Sequence, residues 1–233
     1  MTEIFNGFPE AGIEFLQQLA ENNNREWFEA HKSEYITYLR EPAQLFVVAL
    51  GEKLQAISDG IHYDTRTNGS GSLMRINRDI RFSKDKTPYH TYVTAMFWQG
   101  AGKKTEHPAF GFRFSTDEVG LMAGMHHFSK PMLAAYRDAV VDDKLGPALE
   151  AAIEKVTQAG EYTIGGEHYK RVPRGYDAEH PRADLLRYAG LHAFTTSFDR
   201  AALTSPTLVD VCFEHCRNMS PLFEWLVRVD SSR

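Results

Sequence analysis

Apolar side chains recur at helical intervals from residue 9 to residue 57. Phe15, Leu16 and Leu19 form one stripe, and Trp27, Phe28, Tyr35, Leu39, Phe46, Val47, Leu50 and Leu54 carry it on. Asn22, Asn23 and Asn24 interrupt the first helix, and one of them is expected to cap the second, with Arg25 and Glu26 in its first turn. Pro42 should start a new helix or kink this one. Between residues 72 and 126 the period shortens to that of a strand. SLMRINRDIRF, YHTYVTAMFW, AFGFRFS and VGLMAGMHH read as strands, separated by the turn-forming SKDKTP, QGAGKKTEHP and TDE. Connections this short suit antiparallel neighbours, which predicts a β-meander. Helical spacing returns over 129–160, with Ser129 as cap, Pro131 in the first turn and Gly160 at the end. A basic irregular segment and a strand, LHAFTTSFD, fill 161–200, and 205–230 read as a C-terminal helix with a bend at Pro221. This order predicts an α+β fold, with one mainly antiparallel sheet packed against N-terminal, middle and C-terminal helices. At 233 residues the chain fits one domain spanning 1–233, since single cores stop growing only near ~250–300 residues.

Charge changes the picture, because it is unevenly spread. Residues 1–60 are an acidic helical segment with four Lys/Arg against ten Asp/Glu. Arg75–His90, RINRDIRFSKDKTPYH, instead carries five Lys/Arg against two Asp/Glu, inside a chain of net charge −5. A pI near 6.1 argues against a general nucleic-acid binder, whose domains usually exceed ~9. No apolar run approaches the ~20 residues that span a bilayer, so no membrane partner is expected. The N-terminus lacks a secretory pattern, and two cysteines, Cys212 and Cys216, suit a reducing cytoplasm.

Strand alternation sorts the cationic stretch into two faces. Met74, Ile76, Arg78, Ile80 and Phe82 share one. Leu73, Arg75, Asn77, Asp79 and Arg81 share the other. Arg75 and Arg81 around Asp79 can hold an anion, because the planar guanidinium grips phosphate or carboxylate with two parallel bonds. Lys84 and Lys86 follow in the turn, and Tyr89 offers a hydroxyl. Arg78 would point among apolar residues, where a guanidinium demands a buried carboxylate partner.

These residues also resemble a family. Arg75-x-x-Arg78-Asp79-x-Arg81-Phe82, followed by Asp85-Lys86-x-x-Tyr89, is similar to the defining motif of the bacterial domain of unknown function 2461 family. Glu26-Trp27-Phe28 after the Asn run, Tyr169-Lys170, Pro173-Arg174-Gly175 and His180-Pro181 fit the same pattern. The resemblance implies a protein of about this length, covered nearly end to end, and a site at the motif. It implies no particular chemistry and names no cofactor.

A second basic group, Tyr169 to Gly175 with His180-Pro181-Arg182, places Lys170 and Arg174 on an irregular segment of the kind that often carries binding residues. The leading expectation is therefore a cytoplasmic protein, catalytic or not, that binds a small phosphate- or carboxylate-bearing ligand. Arg75, Arg78, Arg81, Lys86 and Tyr89 would hold it, Lys170 and Arg174 would close on it, and Asp79 and His180 are the acid/base candidates. The alternatives are a single-stranded nucleic-acid module stacking bases on Tyr89, Tyr92, Phe97 or Trp98, and a structural or partner-binding domain whose arginines neutralise residues 1–60. No metal is expected: Cys212, His215 and Cys216 share one helix face but continue an apolar stripe. His126 and His127, adjacent at a strand end, are expected to be structural. The glycine-rich, P-loop, Ser-x-x-Lys and Gly-x-Ser-x-Gly nucleotide and hydrolase patterns fail in detail.

Overall fold

The computed structural model describes residues 4–100 and 102–232. Its elements are α1 (Glu10–Glu21), α2 (Arg25–Ala30), α3 (Lys32–Tyr35), a π-helical turn (Ile36–Arg40), α4 (Glu41–Leu54), β1 (Ile61–His62), β2 (Tyr92–Gln99), β3 (Ala109–Ser115), β4 (Val119–Met125), α5 (Lys130–Val141), α6 (Leu145–Gln158), β5 (Thr163–Glu167), β6 (Tyr188–Thr195) and α7 (Leu208–Ser231). The strands form one six-stranded sheet in the order β1-β2-β3-β4-β6-β5, so the fold is α+β with an antiparallel sheet.

Local chemistry sets the element boundaries. Asn24 is the cap of α2, its side chain accepting the Trp27 N–H at 2.9 Å. Ser129 caps α5 by accepting from Met132 N–H. β2, β3 and β4 are the meander that the alternation predicts. Two strands were not legible: β1, only two residues long, and β5, whose Gly165 and Gly166 carry no strand-forming side chain. α7 continues through Pro221 as one helix.

The expected first strand, 73–82, is not one. It makes only two isolated bridges, Leu73 with Ala95 and Asn77 with Tyr89. Its hydrogen bonds explain why. Met96 N–H donates to Ser72 O and Met74 N–H to Thr94 O, but the next pairs are His90 with Ile76 and Arg78 with Pro88. Between Met74 and Ile76 the partner chain moves from Thr94 to His90, so it carries two surplus residues opposite Arg75. That is a bulge, and bulges break the ladder and re-aim side chains.

The chain divides into two compact units. Unit 1 comprises Met1–Phe97, Gly111–Gly120 and Thr196–Glu214. Its core is aromatic: Phe8 meets Phe114 at 4.5 Å between ring centroids and Phe46 meets Phe112 at 4.6 Å, with Leu16, Leu19, Leu50 and Leu54 also fully buried. Unit 2 comprises Trp98–Phe110, Leu121–Thr195 and His215–Arg233. Phe110 stacks on Phe223 at 4.4 Å, and Tyr136 lies edge-on to Trp225. Both polar tips are satisfied: Tyr136 donates to Leu185 O at 2.8 Å and Trp225 Nε1 to Leu145 O at 2.9 Å. Gly124 takes a φ of +130°, and a Cβ there would lie 2.4 Å from Leu191 O on the neighbouring strand.

Gly51 gives a test of the packing in unit 1. A Cβ at this α4 position would sit 2.3 Å from Cγ of Tyr63. Alanine ordinarily improves a helix interior by about 1 kcal/mol, but crowding a packed site costs about 1–3 kcal/mol. Gly51→Ala should therefore lower stability in urea unfolding. A gain would show that the Tyr63 ring swings aside freely.

Candidate functional site

Unit 1 contains a cavity of about 240 Å³. One wall comes from Phe28, Glu29, Lys32, Tyr35 and, through the π-helical turn and the start of α4, Ile36, Leu39, Arg40 and Ala43. Another comes from Thr67 and the irregular run Leu73–Asn77, and Tyr89, Tyr92 and Val93 complete it. π-turns are rare in helices and recur at functional positions. Here the turn seats Leu39 in the core while Arg40 lines the cavity.

The cations of the cavity differ in their partners. Lys32 pairs with Glu29 at 3.0 Å. The Arg40 Nε is buried and has no hydrogen-bond partner. Arg75, opposite the bulge, makes no hydrogen bond or ion pair among the described residues; its side chain packs beside Gly69. Burial raises the Tyr35 phenol above its ordinary pKa, against the opposing pull of Arg40. Burial also raises that of Tyr89, reinforced by Glu29 and opposed by Arg25 and Lys32. Both hydroxyls are therefore neutral donors near neutral pH.

Tyr89 is fixed from two sides. Its ring stacks on Phe28 at 4.0 Å between centroids. The Asn23 amide grips its backbone, accepting Tyr89 N–H at 3.0 Å and donating to Tyr89 O at 2.9 Å. Tyr92 takes the Arg113 guanidinium over its ring at 4.3 Å.

The other residues of the cationic stretch serve the loop that leaves the cavity. Arg81 binds Asp79 through two parallel contacts, Nε to Oδ1 at 2.9 Å and Nη2 to Oδ2 at 2.7 Å. These bonds hold the Asp79 carboxyl down at about 2, so it is a weak proton acceptor. Lys86 donates to Ile80 O at 2.9 Å. Arg78 donates to Asp85 at 2.5 Å, to Thr87 O at 2.9 Å and to the Thr87 hydroxyl. The expected buried carboxylate partner of Arg78 is corrected: Arg78 is 21% exposed, but Asp85 is 59% exposed. The apolar face fails at both ends, since Met74 is 43% and Phe82 96% exposed. Between them the alternation holds, with Arg75, Asn77, Asp79 and Arg81 exposed and Ile76, Arg78 and Ile80 partly or fully covered.

In unit 2, Lys170 and Arg174 are exposed, and neither lines the cavity. His180 has a local role: its Nδ1 accepts Arg182 N–H at 3.0 Å, while Arg182 Nε donates to Val140 O at 2.7 Å. His126 meets His192 edge-on at 5.2 Å, and the buried His192 Nδ1 has no partner. Among the described residues no cluster of three or more His, Cys, Asp or Glu could hold a metal.

Of the ligand-binding residues expected from the sequence, Arg75 and Tyr89 line the cavity, beside Ile76 and Asn77 of the same stretch. Lys32, Tyr35 and Arg40 were missed, and Tyr92 was expected only as a base-stacking surface. A signal for Arg40 existed: it precedes Ala43 and Val47 at helical spacing, a cation in the register of the buried face.

These features define an α+β protein with a basic, aromatic-walled cavity. The chain belongs to the family described as conserved hypothetical protein (DUF2461), which it matches over residues 11–225. No curated protein and no solved structure matches it significantly.

Two predictions follow from these contacts. Arg78→Ala should cost about 1–2 kcal/mol, for the lost bond to Thr87 O and the packed stem, whereas Arg81→Ala should leave the melting temperature unchanged. Equal losses in chemical unfolding would contradict the division of labour in the loop.

His90, His192 and His215 all lie below the ordinary histidine pKa, each chiefly through burial, with Arg78 and Arg113 adding to His90 and His126 to His192. Below about pH 6.5 the unfolded chain takes up protons that these folded sites refuse. Stability should therefore be highest above that pH and decline as pH falls through it toward the folded values. Glutamine at all three positions should flatten the decline in melting temperature between pH 7.5 and pH 5.5, values chosen to bracket that ~6.5 midpoint. An unchanged slope would remove the histidines as its cause.

Proposed function

We propose that this protein binds a small anionic metabolite in the unit 1 cavity. Arg40 and Arg75 would be its charge partners, and Asn77, Tyr35 and Tyr89 neutral donors around it. The observation that carries this reading is the buried Arg40 Nε without a partner, in the same cavity as an Arg75 that has no ion pair. Leaving a buried donor unmatched costs about 1–3 kcal/mol, a cost that an acceptor from solution removes. The cavity is small beside the ~300–1,000 Å³ of drug-sized sites, which suits a metabolite rather than a dinucleotide. Arg78, Asp79, Arg81 and Lys86 would then shape the site's rim. The buried thiols of Cys212 and Cys216 support a reducing, cytoplasmic location.

The nucleic-acid reading is weaker. Tyr89, Phe97 and Trp98 are buried at 5%, 0% and 7% exposure, so their faces are not open for base stacking. The reading of purely charge-neutralising arginines is also weakened, because Arg81 pairs with its neighbour Asp79 and not with residues 1–60.

Thermal-shift measurements with phosphate, sulfate and citrate test the proposal. A ligand at a hundred times its Kd adds about 2.7 kcal/mol, enough for a clear rise in melting temperature. Wild type and Arg81→Met should respond, and Arg75→Met should not. No response from wild type, or an equal response from Arg75→Met, would overturn it.

A further inference from the structure

Resting on that reading, we infer that the anion is a phosphate monoester whose organic part is small and apolar or flat. The charges around the cavity lead there. Glu29 and Lys32 neutralise each other at 3.0 Å. Asp79, the carboxylate whose field reaches Arg75, already holds both contacts of Arg81. Tyr35 and Tyr89 remain protonated and offer no negative charge. Two guanidiniums are left, Arg40 and Arg75, and neither has a carboxylate partner among the described residues.

A monoanion would neutralise only one of them and leave the second without a charge partner, whereas a dianion can meet both. A phosphate monoester carries about −1.5 to −2 charges near pH 7, on one group with three acceptor oxygens. It can therefore take guanidinium contacts and still accept from Asn77 or a phenol. A dicarboxylate carries the same charge at two separated ends. Much of the lining, Leu39, Ala43, Leu73 and Val93 among it, offers a second charged end no side-chain donor. Those apolar positions, with the stacked Phe28 and Tyr89 rings, fit an uncharged body instead. At about 240 Å³ the cavity suits one ring or a short chain, not a nucleoside triphosphate.

Calorimetry on the full chain with four probes of one shape decides it: phenyl phosphate, benzenesulfonate, phthalate and phenol. Phenyl phosphate should bind about tenfold or more tightly than the monoanionic benzenesulfonate, and its advantage should vanish as pH falls through the phosphate's second pKa near 6. Arg75→Met, an exposed position that should fold normally, should reduce phenyl phosphate to the benzenesulfonate level; Arg40→Lys, keeping the charge but not the Nε donor, should weaken it as well. Equal binding of phenyl phosphate and benzenesulfonate would sink the dianion inference and leave the anion-binding reading standing. Tighter binding of phthalate would replace the monoester with a dicarboxylate. Binding of phenol alone, or of no probe, would overturn both the inference and the reading beneath it.

Discussion

The Asn23 clamp on Tyr89 is the contact on which the cavity depends. Arg78 N–H bonds Pro88 O and His90 N–H bonds Ile76 O, so this edge of the 88–90 segment is taken by the cationic run. In an antiparallel pair the intervening residue turns its own N–H and C=O the other way. Tyr89 would thus present both groups to the helical side with no strand to meet them. Asn23 supplies one donor and one acceptor at 2.9 and 3.0 Å, acting as a single residue of ladder. An aliphatic side chain at that position would leave two backbone groups unmatched, whereas aspartate could satisfy only the N–H. The clamp also brings Tyr89 onto Phe28, so one amide fixes both the backbone and the aromatic wall.

Much of the fold was legible because it rests on local rules. Asn24 and Ser129 cap where side-chain chemistry says they should, and the strands β2 to β4 follow their alternation. The alternation also sorted Arg75 to Arg81 correctly by exposure. It failed to foresee the bulge, because two surplus residues in the 90–94 segment leave no trace in the run that faces them. β5 was illegible for a different reason: Gly165 and Gly166 read as a loop, and only pairing with β6 makes the segment a strand. The cavity was half legible. Arg75 and Tyr89 stood out by composition. Arg40 lay in a helix whose apolar period hides a π-turn, and nothing local marks the wider turn.

Partner choice was the least legible feature, and it answers why an acidic chain gathers cations here. Arg78 reaches Asp85 seven residues on, Arg81 takes Asp79 two residues back, and Lys86 takes a backbone carbonyl. The two carboxylates of the stretch thus each take one of its five cations, and the positive excess is left to Arg75, Lys84 and Lys86. Exposed pairs of this kind contribute only ~0–1 kcal/mol each, and Phe82, the loop's largest apolar side chain, packs almost nothing at 96% exposure. The loop beyond Arg78 therefore belongs among the least stable parts of unit 1. Arg75 lies on the other side of that boundary, between the buried Leu73 and Ile76 and opposite a bulge anchored by backbone hydrogen bonds. Among the described residues Arg75 stands unpaired on the rigid root, whereas Arg78, Arg81 and Lys86 stand partnered on the soft rim. An arginine held at the root loses little freedom when it meets an anion, whereas Arg78, Arg81 and Lys86 on the rim would first have to leave the partners they already have.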